Sequence, residues 1–267
     1  MRSRNKQFKD FKPGRERASL ERGDWIYGRR PVLEALTAGT RHIYEAVLPQ
    51  VGHDSPELVD IRALVSQRAL PFRAVEHEEL DELCGGGNHQ GVALRVGSFP
   101  YVSFDQIIHD VTLNPNALII LLDHIEDPQN TGSILRSANA VGATGVIIPE
   151  DRAAGVTPAA VRASAGASEY MRVAKVVNLT RAIKALQEAG VWITALDTGE
   201  GSRTYTEIDF KGRVGLIVGR EGSGVSRLVR QSADFVASLP MFGKVSSLNA
   251  GVAAAVVMYE VVRQRSL

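Results

Sequence analysis

The feature that most constrains the fold is a series of short, almost wholly apolar runs that alternate with helical stretches after about residue 116. A run with no polar alternation is typical of a strand buried on both faces, as in a parallel sheet. Strands that alternate with helices predict an α/β domain whose sheet is mostly parallel. The runs are ALIILLD, ATGVIIP, MRVAKV, VWITALD, VGLIVG and FVASLP.

The chain ends in a helix with an unusually apolar surface. The helix is predicted from about Ser247 to Arg263 and is rich in alanine and valine. A helix that is apolar on nearly every face is expected to be buried. Two arrangements would bury it equally well: the core of its own chain, or an interface with a second subunit.

The first part of the chain predicts a smaller βαβ-type unit. The segment YGRRPVLEALTAG has apolar residues at helical spacing and stops at Gly39, and a second helix follows the N-cap residue Ser55. Strands are predicted at HIYEAVLP, at PFRAVE and at the end of GNHQGVALRVG. The predicted division of the chain is a basic flexible tail (1–23), the small α/β unit (24–96), a linker (97–112) and a larger domain (113–267).

Composition excludes several classes of protein. The chain has 267 residues, of which 44% are hydrophobic and 23% charged, as in ordinary soluble domains. The single Cys84 excludes an internal disulfide and a cysteine-rich zinc site, and the six histidines do not fall at a metal-binding spacing such as H-E-x-x-H. No apolar run reaches the ~18 residues of a membrane span, and the N-terminus lacks the apolar segment of a signal peptide. We therefore expect a cytoplasmic protein without a metal or a membrane partner.

Charge is unevenly distributed along the chain. The formal net charge is +1, but residues 1–23 hold eight Lys or Arg and three acidic residues, a local charge of +5 that leaves −4 for the rest. A basic arm of this kind attracts polyphosphate by releasing condensed counterions. A solvated tail without a partner explains the same charges equally well.

Three loops carry the residues that could perform chemistry. They are DHIEDPQNTGSILRS, GREGSG and PMFGKVSSLNAG, and each follows a predicted buried strand. In open α/β sheets, ligands bind outside the carboxyl ends of the strands. The loop GREGSG is neither a P-loop nor a G-x-G-x-x-G turn, because the lysine of the first and the glycine spacing of the second are absent.

Polar residues in the other two loops indicate a ligand site. The residues from Pro128 to Gly132 precede a predicted helix, whose first-turn amides are expected to be free to bind an anion. Arg136 fits a bidentate grip on a phosphate, although a surface salt bridge is the more common role of a single arginine. Ser246, Ser247 and Asn249 begin the final helix, and a capping role accounts for only one of the three.

Taken in this order, the three loops resemble the motifs of the SpoU (TrmH) family of RNA ribose 2′-O-methyltransferases, within the SPOUT superfamily. The matching stretches are NTGSILRSANAVGATGVIIP (130–149), LIVGREGSG (216–224) and SLPMFGKVSSLNAGVAAAVVMYE (238–260), and the resemblance covers about residues 115–264. The front unit, with YGRRPVLEAL and HQGVAL, resembles a ribosomal-protein-like RNA-binding domain. This layout is most similar to enzymes that methylate a guanosine ribose in 23S rRNA.

The resemblance implies a fold, a cofactor and an assembly. It implies an α/β domain with a C-terminal trefoil knot, S-adenosylmethionine (SAM) bound in that knot, an RNA partner and no DNA partner, and a homodimer in which each site is completed by the other subunit. The basic tail would then have RNA to contact. The residues implied for cofactor binding are Ala195, Leu196, Gly219, Gly222, Gly224, Leu239, Met241, Ser247 and Leu248.

The residues that the resemblance implies for catalysis are Asn130, Arg136, Glu221 and Asn249. A guanidinium is a poor general base. We therefore expect Arg136 to hold the target phosphate and to stabilise developing charge, with the proton leaving to water or phosphate. Glu221 is expected to orient Arg136 or to line the site, and the two asparagines to hold the ribose and the loops.

The sequence departs from the family pattern at two places. Arg220 stands where a small or uncharged residue is usual, and Ala250-Gly251 replace the usual Val-Ser. Arg220 is a candidate contact for an RNA phosphate. Two alternatives stay open: a ribose methyltransferase that acts on tRNA, and a non-catalytic rRNA-binding or assembly protein of the same fold. An enzyme that binds NAD or ATP is disfavoured by the spacing of the loops.

Overall fold

The chain forms two sheets, a four-stranded one near its start and a seven-stranded one in its remainder. The computed structural model describes residues 23–50 and 55–266. Apart from Gly23, the predicted basic tail lies outside the described residues. Within the described ranges, no helix is long and apolar enough to cross a membrane.

The first sheet is mixed and is accompanied by three helices. Its elements are β1 (Asp24–Tyr27), α1 (Arg29–Ala38), β2 (Ile43–Pro49), α2 (Pro56–Gln67), β3 (Phe72–Val75), α3 (His77–Leu83) and β4 (Ala93–Val96). The strand order is β1-β4-β2-β3, in which β4 is antiparallel to β1 and β2, and β3 is parallel to β2. As the sequence predicts, α1 ends at Gly39 in the left-handed conformation, and the side chain of Ser55 caps α2.

The second sheet is parallel throughout, which confirms the predicted α/β class. Its elements are α4 (Phe104–Leu113), β5 (Leu118–Asp123), α5 (Pro128–Ala140), β6 (Gly145–Pro149), α6 (Pro158–Ala163), β7 (Val173–Val176), α7 (Leu179–Glu188), β8 (Trp192–Leu196), β9 (Arg203–Thr204), β10 (Val214–Gly219), α8 (Arg227–Gln231), β11 (Phe235–Ser238) and α9 (Ala250–Arg265). The strand order is β7-β6-β5-β10-β8-β11-β9. We call the edge where strands end, at Asp123, Leu196, Gly219 and Ser238, the carboxyl edge, and the opposite edge the amino edge.

The apolar runs become strands because the sheet is covered on both faces. In β5, Leu118, Ile120 and Leu122 belong to a core shared with α5 and α9, while Ile119 and Leu121 belong to a second core with α4 and α7. Every residue of β5 and β10 is buried. Alternate side chains of one strand thus fill two different cores, as expected for central strands of a parallel sheet.

Two helices start at positions that differ from the predicted ones. Helix α5 begins at Pro128 instead of after Gly132, and the carboxylate of Asp127 accepts a hydrogen bond from Gln129 N at 2.9 Å. The first-turn amides predicted to bind an anion therefore face an acidic cap, and the prediction of an anion site there is wrong. Helix α9 begins at Ala250, after Asn249.

Helix α9 is buried on one side only. Val257, Met258 and Val261 are fully buried, but Val252 is 49% and Tyr259 56% exposed in the single chain. Of the two arrangements expected to bury the helix, the core of its own chain covers only one side. One apolar face of the helix remains in contact with solvent.

A buried ion pair joins the two sheets. Arg41, which follows α1, donates two hydrogen bonds to Glu169 at 2.8 and 2.9 Å, and both side chains are at most 1% exposed. Burial raises the pKa of Glu169, and the Arg41 guanidinium opposes that shift. A second contact runs from Arg162 of α6 to the hydroxyl of Tyr27 at 2.8 Å.

The stretch predicted as a linker is ordered over most of its length. It contains α4, whose Ile107 and Val111 are fully buried against the large sheet. The connection between the two sheets is therefore limited to the first residues of the predicted linker. The sequence does carry a signal for α4, because Ser103 and Gln106 form a capping box at its start.

Candidate active site

A cavity of about 260 Å³ lies at the carboxyl edge of the large sheet, between the segments that follow β8, β10 and β11. Its lining combines apolar side chains with residues 219–224 of the loop that follows β10. The apolar residues are Leu196, Val218, Ala237, Leu239, Met241, Leu248, Ala250 and Ala253. Three chain segments far apart in sequence thus form one compartment.

Eight of the nine residues predicted for cofactor binding line this cavity. Ala195 does not. It is fully buried inside β8 and belongs to the second core, on the other face of the sheet from its neighbour Leu196. The prediction was one position early, because successive residues of a strand point to opposite faces.

The glycines of the second loop are required by the loop itself. A Cβ at Gly219 would lie 2.3–2.4 Å from backbone atoms of Gly224 and Val225. Gly222 and Gly224 have φ of +82° and +68°, a conformation that favours glycine. Gly224 N closes the turn by donating to the carbonyl of Arg220 at 2.9 Å. The resemblance gives these glycines as cofactor-binding residues, and the structure shows in addition a turn that packs against its own backbone.

Two buried or half-buried aspartates anchor the loops, and the sequence argument missed both roles. Asp123, 2% exposed at the end of β5, accepts a hydrogen bond from Ser226 N at 2.6 Å. Asp197 accepts from Thr198 N at 2.8 Å and pairs with Arg230 at 3.4 Å. The available signal was an aspartate that ends an apolar run, as in ALIILLD and VWITALD.

Three of the four residues predicted for catalysis meet in one hydrogen-bonded group, which we call the polar triad: Asn130, Glu221 and Asn249. Asn249 Nδ2 lies 2.7 Å from Asn130 Oδ1 and 3.4 Å from Glu221 Oε2, and Asn130 Nδ2 lies 3.2 Å from the same carboxylate oxygen. Glu221 also lines the cavity. The triad therefore reaches the wall of the compartment.

Helix capping fixes the orientation of the polar triad. The Oδ1 atom of Asn249 accepts hydrogen bonds from Gly251 N at 3.0 Å and Val252 N at 3.3 Å, as an N-cap residue does. Its amide nitrogen must then point away from the helix, toward Asn130 and Glu221. Asn249 thus caps α9 and also contributes a polar group to the candidate site.

Arg136 stands apart from the polar triad. It is exposed in the third turn of α5, and no hydrogen bond or ion pair joins its side chain to any other residue in the described ranges. Glu221 contacts the two asparagines and makes no contact with Arg136, so the predicted role of orienting Arg136 is not seen. Its other predicted role, lining the site, is seen. Arg220 pairs with Glu126 at 3.6 Å, which links the first loop to the second.

The cavity lining matches the parts of the predicted cofactor. Leucine and methionine side chains opposite exposed backbone suit a flat adenine ring. The hydroxyl groups of Thr198 and Ser247 suit a ribose, and the carboxylates of Asp197 and Glu221 suit cationic sulfonium and ammonium groups. The lining therefore contains apolar, polar and charged groups that match the corresponding parts of SAM.

One group of side chains away from the cavity resembles a metal site. His77, Asp81 and His89 offer ligand atoms within 4.8 Å of one another. His89 Nδ1 accepts a hydrogen bond from Gly91 N at 3.0 Å, so the ring proton is on Nε2, which faces Asp81 at 3.2 Å. A protonated nitrogen cannot bind a metal. Burial raises the pKa of the nearby Cys84 thiol to about 11, so it is also a poor ligand at neutral pH.

Comparisons with known proteins agree with this geometry. Residues 117–259 match the SpoU rRNA Methylase family. The chain belongs to the SpoU rRNA methylase family. Residues 25–102 match the family described as "RNA 2'-O ribose methyltransferase substrate binding". The recognition made from the three loops, the predicted class of SAM-dependent RNA methyltransferase and its predicted cofactor are therefore confirmed.

Relatives of this SpoU protein span nearly its whole length. A 23S rRNA (guanosine-2'-O-)-methyltransferase, RlmB of Xylella fastidiosa, is 37% identical over 92% of this chain and 99% of its own. A tRNA/rRNA methyltransferase of Mycolicibacterium vanbaalenii, described as uncharacterized, is 42% identical over 90% of this chain and 76% of its own.

A solved structure has the same fold. The SpoU methyltransferase AviRb from Streptomyces viridochromogenes, in complex with the cofactor AdoMet, aligns with a TM-score of 0.77 and 27% identity. The alignment covers 95% of this chain and 94% of AviRb. AdoMet is SAM, so a relative of the same architecture binds the cofactor predicted here.

Proposed function

We propose that this SpoU-family enzyme transfers the methyl group of SAM to the ribose 2′-hydroxyl of a guanosine in 23S rRNA. The observation that carries the proposal is the polar triad, which brings three of the four residues predicted for catalysis together at the cavity wall. The 37% identity to a 23S rRNA guanosine methyltransferase over nearly its full length supports the choice of RNA and base.

The cavity is the proposed SAM site. Bound there, SAM supplies an electrophilic methyl group on a cationic sulfur. Leu196, Leu239 and Leu248 would enclose the adenine, with Met241 and Ser247 beside them. The backbone of 219–224 forms the opposite wall, held in shape by its turn and by Asp123.

The polar triad and Arg136 are proposed to position the ribose. Asn130 and Asn249 both donate to Oε2 of Glu221, which fixes the carboxylate and leaves Oε1 available to the substrate. Arg136, whose guanidinium has no protein partner among the described residues, would grip the phosphate of the target nucleotide. Orientation of this kind accelerates transfer without new chemical groups.

We propose a homodimer whose interface includes α9. Its exposed Val252 and Tyr259 are accompanied by Phe242, which is 95% exposed, and Val245, which is 68% exposed, in the loop that lines the cavity. An apolar surface of this kind is typical of an interface. Light scattering of the wild type and of Val252→Glu tests this: a dimer that the charge dissociates is expected, and a monomeric wild type would contradict it.

Several further features belong to the same proposal. The C-terminal segment is proposed to form a trefoil knot, which is supported by family membership and by the return of α9 to pack on α5, beside the central strands β5 and β10. The division into an RNA-binding unit over residues 24–96 and a catalytic domain over residues 113–267, a basic tail that contacts RNA, and a cytoplasmic location are also proposed.

A tRNA substrate is the second candidate, because relatives are named as methyltransferases of tRNA or rRNA without distinction. The front unit over residues 25–102 matches a family described as substrate binding for RNA ribose methyltransferases, which supports an RNA substrate of either kind. The preference for rRNA rests on the 37% identity to RlmB. A non-catalytic protein is disfavoured by the presence of Asn130, Arg136, Glu221 and Asn249 together.

The test is methyl transfer by the purified protein to unmodified 23S rRNA and to unmodified tRNA, with mass spectrometry of the digested nucleosides. We expect 2′-O-methylguanosine from the ribosomal RNA alone. Methylated tRNA with unmodified rRNA would select the second candidate, and SAM binding without transfer to either RNA would support a non-catalytic role.

A further inference from the structure

The front unit, residues 24–96, packs against one short stretch of the large domain. We call this stretch, residues 158–170, the docking segment; it contains α6 and the 3₁₀ helix Ala167–Tyr170. Strand β1 packs on α6, and helix α1 packs on the 3₁₀ helix. The hydroxyl of Tyr170 donates to the carboxylate of Glu34 at 2.7 Å. The front unit therefore has a defined contact surface on the large domain.

A close backbone approach shows that this surface is tightly packed. Gly166 of the docking segment has φ of +85°, and a Cβ there would lie 2.6 Å from Glu34 Cβ and 3.1 Å from Pro31 Cα. Only glycine combines this conformation with so close an approach. The backbone of the docking segment thus touches α1 directly.

The buried ion pair at this surface fixes orientation more than it adds stability. The side chains of Arg41 and Glu169 share two hydrogen bonds, and Nη1 of Arg41 is buried without a hydrogen-bond partner among the described residues. Taking two charges out of water costs free energy that their attraction barely offsets, and an apolar pair of similar volume is often as stable. What the ion pair adds is geometry, because a guanidinium and a carboxylate form two parallel hydrogen bonds in one relative orientation. The pair therefore holds the front unit at one angle to the docking segment.

The docking segment also supports the helix that carries two of the residues predicted for catalysis. A Cβ at Gly132 of α5 would lie 2.5 Å from the carbonyl oxygen of Ala160 and 2.5 Å from Ala163 Cβ, so α5 and α6 are in backbone contact. Gly132 comes two residues after Asn130 and four before Arg136. Because residues four apart lie on the same face of a helix, Arg136 leaves α5 one turn beyond the contact with α6. The front unit, α6 and α5 are thus packed in series.

We propose that Arg41 and Glu169 are positioning residues, which set the orientation of the front unit, and of RNA held by it, relative to Arg136 and the polar triad. The inference rests on the proposed function, and it is supported by the match of residues 25–102 to a substrate-binding family. RNA held by the front unit would present its target ribose to the cavity in one orientation, which favours transfer. Without the ion pair, RNA and SAM still bind, but the ribose reaches the polar triad less often.

The double variant Arg41→Met with Glu169→Leu separates positioning from stability. It removes both charges together, so its midpoint of thermal unfolding is expected to stay near that of the wild type, whereas Arg41→Met alone leaves a buried carboxylate unpaired and should lower the midpoint. The single-turnover rate at saturating 23S rRNA is expected to fall about 10- to 100-fold in the double variant, as for other small misplacements of reacting groups. Affinities for RNA and SAM, from filter binding and calorimetry, should stay within about twofold, because the changed residues lie away from both binding surfaces. A purely structural role would not slow a variant as stable as the wild type.

Spin-label distances test the orientation without relying on activity. Labels are attached at Gln67→Cys of α2 and Lys184→Cys of α7, two exposed positions on different domains, in a Cys84→Ala background. Pulsed EPR is expected to show one narrow distance distribution with the ion pair present and a broad one in the double variant. Arg172→Met is the control, since it removes an ion pair with Asp110 that lies within the large domain. It should keep both the wild-type rate and the narrow distribution.

The outcomes separate this inference from the proposed function. If the wild type methylates no RNA, the proposed function fails, and the spin-label distances still decide whether the ion pair sets the orientation. If the wild type methylates RNA and the double variant keeps its rate, the positioning role is overturned while the proposed function stands. A broad distance distribution in the wild type, or a narrow one at the same distance in the double variant, would also overturn it.

Discussion

Two regions of the large domain use arginine differently: the amino edge of the large sheet and the third turn of α5. At the amino edge, Arg213 donates hydrogen bonds to carbonyl oxygens at the ends of α4 and α7, and Arg265 donates to carbonyl oxygens on the segments before β5 and β10. In the third turn of α5, the exposed Arg136 makes no hydrogen bond or ion pair within the part of the chain that the structure describes. An arginine whose donors are satisfied by the protein stabilises the fold, and an exposed one without a protein partner is available to a substrate.

The amino and carboxyl edges of the large sheet also differ in what their polar groups do. Polar groups at the amino edge close helix ends, where a cation complements the carbonyls and the helix dipole. Those at the carboxyl edge hold loops in a defined shape, as Asp123 does for Ser226 and Asn249 does for Glu221. Substitutions at the carboxyl edge should therefore change activity more than stability, and substitutions at the amino edge should do the reverse.

The largest expected effect is that of Arg136→Ala. Loss of one charged group at the reacting centre should lower the single-turnover rate of methyl transfer by about 1,000-fold. The midpoint of thermal unfolding and the affinity for SAM should not change, because the side chain makes no contact with other described residues. Radiolabelled methyl transfer, thermal unfolding and calorimetry measure the three quantities.

Arg181→Ala is the matched control, since Arg181 is an exposed arginine of α7 on the other side of the sheet. It should behave as the wild type in all three assays. Unchanged turnover in Arg136→Ala would remove Arg136 from the site.

Asn249→Asp separates the cap of α9 from the polar triad. An aspartate still accepts the hydrogen bonds of Gly251 and Val252, so unfolding free energy should change by less than about 1 kcal/mol. It replaces the amide donor with a carboxylate beside Glu221, and the resulting repulsion should slow transfer about 100-fold. A variant that is active but unstable would show that Asn249 is only a cap.

Gly219→Ala tests the shape of the cavity wall. The added methyl group would lie 2.3 Å from the Gly224 carbonyl carbon, so the turn must shift. We expect SAM affinity to fall at least about tenfold, with a loss of about 1–3 kcal/mol of unfolding free energy. Gly243→Ala is the control, because a Cβ there meets no atom within 4 Å. Equal SAM affinity in the two variants would contradict the assignment of this wall.

Arg213→Ala should have the smallest effect on the rate. Its removal leaves several carbonyl oxygens at the ends of α4 and α7 without a donor, which should cost about 1–3 kcal/mol of unfolding free energy. The rate per folded molecule, measured well below the unfolding midpoint, should equal that of the wild type. A slower rate in the fully folded variant would show that the two edges are coupled.

Local patterns were sufficient to predict most of the fold. Buried strands such as β5 and β10 were visible because both of their faces are apolar, and Ser55 and Gly39 marked helix ends through their own chemistry. The start of α5 was missed although the sequence shows it, because Asp127 followed by Pro128 is a common pair of N-cap and first helical residue. The exposed face of α9 was missed because its composition is the same on both sides.

The site was predictable only where a motif carried it. The three loops identified the cavity and the polar triad, although Ala195 was placed on the wrong face of its strand. The contacts of Asp123 with Ser226, of Arg213 with Thr112 and of Arg265 with Asn116 join residues more than 100 positions apart, and no local pattern indicates such contacts.

The most direct test of the account compares ribose methylation of 23S rRNA in cells that lack the gene, cells complemented with the wild type and cells complemented with Arg136→Ala. Mass mapping of ribose methylation is expected to show one guanosine that loses its 2′-O-methyl group in the deletion strain, regains it with the wild type and does not regain it with Arg136→Ala. Unchanged methylation in the deletion strain, or full restoration by Arg136→Ala, would contradict the account.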